Sequence, residues 1–520
     1  MDQEIIYPIG EQSFENLRNR GKLYVDKTEL IYRLITEGDY YFLSRPRRFG
    51  KSLLVSTLEA YFLGKRELFA GLAMERLEKE WKEYPVLHVD FSRNDFAVEG
   101  VLESTLNTIL YDWEEVYGRV EVDENFADRF IRVIKNAHAQ TGRQAVVLVD
   151  EYDKPMLDAF GSRELLASNQ EVLRGFYGAL KASAPHLRFV FLTGVTRFAH
   201  VNIFSGLNNL WDISMSTAYA TLCGITDAEL RANFAEGVAR MAARRGQTEA
   251  KVYDKLKAMY DGYRFSEEVS EGVYNPFSLL SAFGEMKYGS QWFATGTPSY
   301  LVQVMQESGY WVDDLMGKEV TLQALGDIKD PYQNPQALFY QSGYLTLGGR
   351  GRRKGTYKLR FPNGEVRMGF KQFVQECYLP GVFGSSTYNA LAFHRLLAKG
   401  DAEGFMALLA SFFWVSNYEV VGDQEKYYQN TLRALFMLMG TRAEAEHRTA
   451  NGRIDLLVWL PQYVYLFEIK MDRGAEVALE QIEWKGYAKG VDKGDRQLIA
   501  IGVSFSRAER GIQEWKVARG

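Results

Sequence analysis

The stretch that decides the fold of the N-terminal part of this chain is Arg45-Pro46-Arg47-Arg48-Phe49-Gly50-Lys51-Ser52. It stands between a short apolar and aromatic run, Tyr40–Ser44, and a helical pattern that begins at Lys51. A strand, a glycine loop and a helix in this order form the setting of a P-loop, or Walker A motif. The usual motif has another glycine five residues before Gly50, where this chain has Arg45. The loop therefore lies in the structural context of the motif but lacks its first glycine.

Apolar runs and helical patterns alternate on either side of this loop. The runs after the loop are Val86–Phe91, Ala145–Val149 and Arg188–Leu192, and the helical patterns lie near 98–118, 124–140 and 168–183. An uninterrupted apolar run is typical of a strand that is covered on both faces. Strands separated by helices predict a parallel α/β sheet.

The loop and the acids after the third run predict a nucleotide site. Backbone N–H groups from Gly50 onward are expected to cradle phosphate, and Lys51 to neutralise it. The Ser52 hydroxyl and Asp150 are expected to hold Mg²⁺, with Asp150 as the Walker B acid. Glu151 is expected to polarise the attacking water. The alternative is that Asp150 and Glu151 only cap the next helix.

Three further residues are assigned to the same site. Arg47 and Arg48 are expected to contact phosphate, although they can equally be solvated. Thr193 follows the strand Phe189–Leu192 and is expected to sense the γ-phosphate. The alternative for Thr193 is an ordinary polar residue at the end of a strand.

A second group of charged residues lies near the C-terminus. Glu468 and Lys470 share one face of a predicted strand, because side chains alternate along a strand. If Pro461-Gln462 forms a two-residue turn, Asp455 lies directly opposite Glu468, with Cβ atoms about 5 Å apart. Two facing carboxylates suit Mg²⁺, and Mn²⁺ is a possible substitute, while Lys470 can orient a metal-bound water. The alternative is a cross-strand charge pair on an exposed sheet.

Composition sets limits on the class of protein. The chain has 520 residues, which at about 150 per domain predicts three domains. Apolar residues make up 46% and charged residues 25%, which excludes a disordered chain. The net charge of −5 excludes a whole-chain polycation, and two cysteines, Cys223 and Cys377, exclude a disulfide framework. The acidic N-terminus and the lack of a long apolar run predict a cytoplasmic protein with no membrane partner.

A basic segment follows the middle of the chain. The strand patterns Tyr344–Leu347 and Thr356–Phe361 predict a hairpin, with helical patterns before it and again over 386–440. Two readings remain open, a winged-helix wing along phosphates and a solvated tip that protects a sheet edge. Between 350 and 371 eight basic residues accompany one acid, Glu365; the eight are Arg350, Arg352, Arg353, Lys354, Lys358, Arg360, Arg367 and Lys371.

Several stretches together resemble the bacterial AAA-ATPase-like family, a relative of archaeal and STAND-type P-loop ATPases. Arg45 in place of glycine is typical of that group, so the resemblance implies that this replacement need not mean an inactive ATP site. The matching stretches besides the loop are Tyr24-Val25-Asp26-Lys27-Thr28, Val149-Asp150-Glu151-Tyr152-Asp153-Lys154-Pro155, Phe204-Ser205-Gly206-Leu207-Asn208-Asn209, Tyr260-Asp261-Gly262-Tyr263 and Tyr274-Asn275-Pro276-Phe277.

The C-terminal hundred residues resemble the PD-(D/E)XK nucleases, on Asp455 and Glu468-Ile469-Lys470 with Gln481-Ile482 on the following helix. The resemblance implies that Gln481 approaches the site or the substrate backbone. It also implies that a glutamate on the preceding helix completes the metal site. Glu425 is assigned that role, with Glu444 and Glu446 as alternatives.

These observations predict an α/β protein in three parts. Residues 1–225 form a P-loop NTPase domain with a parallel sheet, and 226–385 a helical lid and winged-helix-like region. Residues 386–520 form a restriction-endonuclease-like α/β domain. The expected function is ATP binding and hydrolysis, relayed through the middle region to Mg²⁺-dependent cleavage of nucleic acid, with DNA favoured over RNA. The alternatives are an ATP-dependent switch or scaffold that only binds, and a signalling ATPase with a protein partner; a homo-oligomer is left open.

Overall fold

The fold is taken from a computed structural model, which divides the chain into two compact units. The first comprises Met1–Tyr300 and Asp314–Met368, and the second Leu301–Asp313 and Gly369–Gly520. The residues that the structure describes are 5–119, 125–197, 203–204, 207, 209–269, 271–292, 300–301, 304–305, 316–326, 328, 332–370, 387–416, 425–509 and 511–519. Lys371 of the basic segment and Ser205, Gly206 and Asn208 of the resemblance lie outside these ranges.

The first unit is built on a five-stranded sheet in the order β2-β3-β4-β1-β5, in which every neighbouring pair is parallel. The central strand β3 is buried along its whole length, as its uninterrupted apolar run predicts. The prediction of a parallel α/β sheet is therefore confirmed. The strands are β1 (Tyr40–Ser44), β2 (Val86–Asp90), β3 (Ala145–Asp150), β4 (Leu187–Gly194) and β5 (Trp211–Asp212).

Helices separate these strands, and their ends follow local capping. The helix Arg163–Ala182 begins five residues before its predicted start, because the Ser162 side chain accepts a hydrogen bond from Leu165 N at 3.3 Å. The helices of this part are Phe14–Asn19, Thr28–Glu37, Lys51–Phe62, Ala73–Leu77, Val101–Tyr117, Phe126–Thr141, Lys154–Asp158 and Arg163–Ala182.

The rest of the first unit is helical and carries the predicted hairpin. A core centred on Phe234, Met241, Leu256 and Phe283 holds the helices together. The helices are Asp227–Asn233, Ala235–Arg245, Glu249–Tyr260, Pro276–Glu285, Leu322–Gly326 and Pro335–Gln341. The hairpin belongs to a three-stranded antiparallel sheet in the order β6-β8-β7, with β6 (Glu319–Thr321), β7 (Thr346–Arg350) and β8 (Thr356–Arg360).

The second unit contains a mixed sheet in the order β13-β12-β11-β10-β9. Strands β11 and β12 are parallel, and the other neighbouring pairs are antiparallel. The strands are β9 (Arg442–Thr449), β10 (Gly452–Trp459), β11 (Tyr463–Met471), β12 (Gln497–Ser506) and β13 (Gly511–Arg519). The helices are Thr387–Ala398, Ala402–Ser416, Glu425–Leu438 and Ala475–Trp484.

The turn between β10 and β11 fixes the register that the sequence predicts. Leu460 N donates to Tyr463 O at 2.9 Å across Pro461-Gln462, and Leu456 pairs with Phe467. This register brings Asp455 to the level of Glu468. The last helix ends at Trp484, because Gly486 adopts a left-handed conformation with φ 61°.

Among the helices that the structure describes, none combines the length and the apolar character needed to cross a membrane.

Candidate functional sites

The glycine loop joins the end of β1 to the first turn of the helix Lys51–Phe62. Gly50 has φ 85° and ψ 24°, a left-handed conformation that favours glycine, and it stands at the N-cap of the helix. Gly50 has no side chain with which to cap this N-terminus. Its N–H groups and the positive end of the helix dipole are therefore suited to an anion.

Lys51 and Ser52 lie at the start of this helix, opposite the end of β3. Lys51 is buried, and its Nζ donates to the carbonyl oxygens of Arg45 at 3.1 Å and Pro46 at 3.2 Å. The Ser52 hydroxyl hydrogen-bonds with the Asp150 carboxylate. Burial raises the pKa of Asp150 to about 6, so this carboxylate favours a cation beside it. The structure thus brings together the two predicted Mg²⁺ ligands, Ser52 and Asp150.

Arg45, which replaces the first glycine of the motif, is a buried anchor of the loop. Its guanidinium donates to Ser44 O at 2.8 Å, Ser214 O at 2.7 Å and Tyr219 O at 3.2 Å. It also lies over the ring of Phe265, 4.1 Å from the ring centroid. A buried arginine is tolerated here because carbonyl oxygens accept hydrogen bonds from both of its terminal nitrogens, while its Nε has no partner among the described residues. Arg45 therefore fixes the end of β1.

A cavity of about 680 Å³ opens over the loop, within the range of small-molecule sites. The guanidinium of Arg48 lies 4.2 Å from the ring centroid of Phe277, at one wall of the cavity. Six residues assigned from the sequence line this cavity, namely Arg47, Arg48, Gly50, Lys51, Ser52 and Glu151.

Thr193 is not brought to this cavity. It is fully buried in β4, and its hydroxyl donates to Leu43 O in β1 at 2.8 Å. The contact ties two central strands together, which agrees with the alternative interpretation of an ordinary strand-end residue.

Sequence reasoning gave no role to Asp153, although it quoted the motif that contains it. The Asp153 carboxylate is buried and accepts three hydrogen bonds from the segment after β4, from Val195 N at 3.1 Å, Thr196 N at 2.6 Å and Thr196 Oγ1 at 2.7 Å. A Cβ on Gly194 would lie 2.3 Å from Asp153 Oδ1. Asp153 therefore connects the segment after β3 to the segment after β4 through hydrogen bonds.

We expect Asp153→Ala to destabilise the protein by about 3 kcal/mol, because it leaves several buried donors without an acceptor. The measurement is urea unfolding of the full chain, followed by tryptophan fluorescence. The matched control is Asp254→Ala, which removes an exposed carboxylate from the helix Glu249–Tyr260. Equal stability of the two variants would contradict this assignment.

In the second unit, Asp455 on β10 and Glu468 on β11 form the carboxylate pair. Asp455 Oδ2 accepts a hydrogen bond from Ile469 N at 2.7 Å. Burial and the charge of Glu468 together raise the pKa of Asp455 to about 8, and burial also raises that of Glu468. Two carboxylates that repel each other, Glu468 buried and Asp455 partly buried, favour a cation between them.

Lys470 and Gln481 both act on one oxygen of Glu468. Lys470 Nζ lies 2.8 Å from Glu468 Oε1 and 3.1 Å from Ile469 O. Gln481 Nε2 donates to the same Oε1 atom. The other oxygen, Glu468 Oε2, is buried and has no hydrogen-bond partner in the part of the chain that the structure describes. A buried carboxylate oxygen without a hydrogen-bond partner is suited to bind a hard cation such as Mg²⁺.

Glu425 is exposed at the start of the helix Glu425–Leu438. Its negative charge adds to the rise in the pKa of Asp455, after burial and Glu468. No group of three or more His, Cys, Asp or Glu residues able to hold a metal ion occurs within the described ranges. Glu425 thus acts on the pair through its charge, while the alternative Glu444 contacts His447 at 2.9 Å.

Two residues of this centre were missed. Gln429, one helical turn after Glu425, donates from Nε2 to Asp455 O at 2.5 Å and so fixes the backbone of β10. Tyr487 is buried and hydrogen-bonds with Gln481.

Comparison with known proteins agrees with this division of the chain. Residues 8–204 match the family described as predicted AAA-ATPase, and residues 423–515 match the PD-(D/E)XK nuclease superfamily. A relative from Azotobacter chroococcum mcd 1, described as "Uncharacterized protein in vnfD 5'region", is 36% identical over 522 residues and 97% of each chain. The matched ranges contain the glycine loop with Asp150 and the carboxylate pair, respectively. The chain belongs to the family of AAA-ATPase-like proteins that carry a C-terminal domain of the PD-(D/E)XK nuclease superfamily.

Proposed function

We propose that this protein binds and hydrolyses ATP in its first unit and cleaves nucleic acid phosphodiesters in its second. The observation that carries the proposal is the buried, unpartnered Oε2 atom of Glu468 beside Asp455 and Lys470, within the described residues. DNA is favoured over RNA as the substrate, and the activity is assigned to the cytoplasm. We retain three functional parts, 1–225, 226–385 and 386–520.

At the nucleotide site each loop residue has a separate task. Lys51 would leave the carbonyl oxygens of the loop for the β- and γ-phosphates, since a phosphate offers it a full negative charge. Ser52 and Asp150 would hold Mg²⁺, which offsets phosphate charge when bound. Glu151 would orient the attacking water. Arg47 and Arg48 line the cavity and would contact phosphate oxygens.

A smaller apolar cavity of about 100 Å³ beside the loop is proposed to receive the adenine base. Leu23, Val25, Phe49, Cys223 and Ile225 are among its lining residues. Gly50 lines both this cavity and the one that holds Lys51 and Ser52. One nucleotide would therefore occupy both cavities, with its base in the smaller one and its phosphates in the larger one, on the two sides of Gly50.

At the carboxylate centre Asp455 and Glu468 would hold Mg²⁺ or Mn²⁺, and the negative charge of Glu425 would add to the attraction for the ion. When bound, such an ion polarises a phosphoryl group and lowers the pKa of water. Lys470 would orient the attacking water and offset the charge of Glu468. Gln481 would hold Glu468 in place and approach the substrate backbone.

The first unit offers a route from the glycine loop to the basic hairpin. Phe49 packs against Tyr263, with ring centroids 4.8 Å apart. Arg264, the next residue, donates from N to Thr346 Oγ1 at 2.8 Å, at the start of β7. We propose that the middle region relays the nucleotide state along these contacts to the hairpin.

The test is an assay of purified full chain with single-stranded and duplex DNA and RNA, in Mg²⁺ or Mn²⁺, with and without ATP. Metal-dependent cleavage supports the proposal. ATP-modulated binding without cleavage would instead favour a switch or scaffold, an alternative supported by the two-carboxylate centre found in the described ranges. If the protein shows neither cleavage nor ATP-modulated binding of nucleic acid, the result would favour a signalling ATPase with a protein partner.

The hairpin gives an independent prediction about nucleic-acid binding. Glu319 accepts hydrogen bonds from Arg352 N at 2.7 Å and Arg353 N at 3.3 Å, which holds the tip while its basic side chains stay exposed. Changing Arg352, Arg353 and Lys354 together to Ala should weaken binding regardless of sequence. Each lost phosphate contact should lower the salt slope by ~0.9 on duplex DNA.

Its measurement is a salt titration of duplex binding by fluorescence anisotropy, with and without ATP. The matched control removes three exposed basic residues from nearby helices, Arg244, Lys251 and Lys255, and so changes the net charge equally. If the salt slope is the same in both triple variants, the hairpin does not contact phosphates and the interpretation as a solvated tip holds.

A further inference from the structure

Trp484 is the most exposed large hydrophobic residue that the structure describes. Its relative exposure is 80%, and it is the last residue of the helix Ala475–Trp484. Scattered exposed hydrophobic residues are normal on soluble proteins. Trp484 differs in position, because it stands three residues after Gln481, whose amide contacts Glu468 of the carboxylate centre.

The segment that carries Trp484 is fixed against the turn between β9 and β10. Asn451 Nδ2 donates to Lys485 O at 3.0 Å, and a Cβ on Gly452 would lie 2.9 Å from the Tyr487 hydroxyl. Tyr487 in turn hydrogen-bonds with Gln481. We call residues 449–452 and 484–490 the rim. The rim is a rigid support that connects an exposed indole to the carboxylate centre.

Cationic side chains accompany the indole. Lys485 Nζ lies 4.6 Å from the ring centroid of Trp484, and Lys489 is exposed. Arg453, directly after the turn, has a side chain that is 60% exposed and 3.5 Å from Glu446. Three exposed acids on the same helix, Glu476, Glu480 and Glu483, oppose a purely electrostatic site for a phosphate chain. Affinity at the rim must therefore come mainly from the aromatic ring.

We propose that Trp484 stacks on an unpaired nucleobase and that the rim holds single-stranded nucleic acid beside the carboxylate centre. Every base has a face that can stack on an indole, so the contact is tolerant of sequence. A base-paired duplex hides these faces, except at its ends. The proposal rests on the proposed function and adds to it a preference for single strands, with Lys485 and Lys489 as phosphate contacts.

The experiment measures binding of a fluorescent 20-nucleotide single strand, and of a duplex whose two ends are closed by non-nucleotide linkers, to the full chain in EDTA. Trp484→Ala should weaken single-strand binding on the order of tenfold, and Trp484→Phe should retain most of it. Duplex binding should be unchanged in both variants. The matched control is Leu391→Ala, which removes another exposed large hydrophobic residue of the second unit, 52% exposed, and should change neither affinity.

Equal single-strand affinity of Trp484→Ala and the parent overturns the proposal. An equal loss of duplex affinity in Trp484→Ala also overturns it, because such a loss would indicate a general disturbance of the protein. A third contradicting result is a change of oligomeric state in sedimentation without a change in single-strand affinity. Failure of the proposed function has a different signature. In that case the parent does not cleave in Mg²⁺ or Mn²⁺, while its single-strand binding still depends on Trp484.

Discussion

Asp455→Ala is expected to abolish metal-dependent cleavage of nucleic acid, with a loss on the order of 10³-fold or more, because a bound ion contributes several kcal/mol to the reaction. The same variant should lose most of the rise in melting temperature that Mg²⁺ or Mn²⁺ gives the parent. Asp455 and Glu468 lie at the same level of adjacent strands, and the ion relieves the repulsion between their ionised forms. Cleavage rates and thermal melting of the full chain measure both effects.

Two variants separate the metal from the chemistry. Lys470→Ala should abolish cleavage and keep the metal-induced stabilisation, because lysine is not a ligand. Asp455→Asn should abolish cleavage at every pH. Above about pH 8, where Asp455 is ionised in the parent, the variant should also raise the metal-free melting temperature, because it removes one of the two charges. If a variant at Asp455 cleaves as fast as the parent, the catalytic assignment is wrong and the carboxylate pair has only a structural role.

The pH dependence follows from the sign of the pKa shift. Burial and Glu468 raise the pKa of Asp455 from its ordinary value of 3.8 to about 8 in the folded protein. The folded state therefore holds this proton more tightly than the unfolded state. Its contribution to metal-free stability is complete below about pH 3.8 and is lost as the pH rises towards 8. Asp455→Asn should remove this part of the pH dependence.

Lys51→Ala is expected to weaken ATP binding about 100-fold or more, since it removes the buried cation that faces the phosphates. Glu151→Gln should retain binding and lose hydrolysis, because the amide cannot accept a proton from water. Calorimetry with ATP and a phosphate-release assay measure the two steps. Lys181→Ala, which removes an exposed lysine from the helix Arg163–Ala182, should change neither. Unchanged ATP affinity of Lys51→Ala would contradict the site.

The parts of the fold that sequence predicts well are those whose pattern is dominated by burial. Strands β1 and β3 and the register of β10 with β11 follow from apolar runs and a short turn. Strands β9 and β13 were missed. Both are edge strands of their sheet, and their polar sequences carry little periodic signal, since charged residues are common at sheet edges.

The directions of single side chains are harder to predict. Arg45 and Thr193 stand near the glycine loop in sequence or topology, yet both hydrogen-bond to backbone carbonyls of neighbouring segments. Gln429 reaches Asp455 O from a helix 26 residues away in the chain. Such contacts depend on tertiary packing, which no local pattern specifies.

The most direct test of the proposed cleavage is a time course with a labelled single strand, the full chain and Asp455→Ala, in Mg²⁺, in Mn²⁺ and in EDTA. We expect the parent to cleave only with a divalent ion and Asp455→Ala to leave the strand intact under every condition. Cleavage by the parent in EDTA, or equal cleavage by parent and variant with metal, would contradict the proposal.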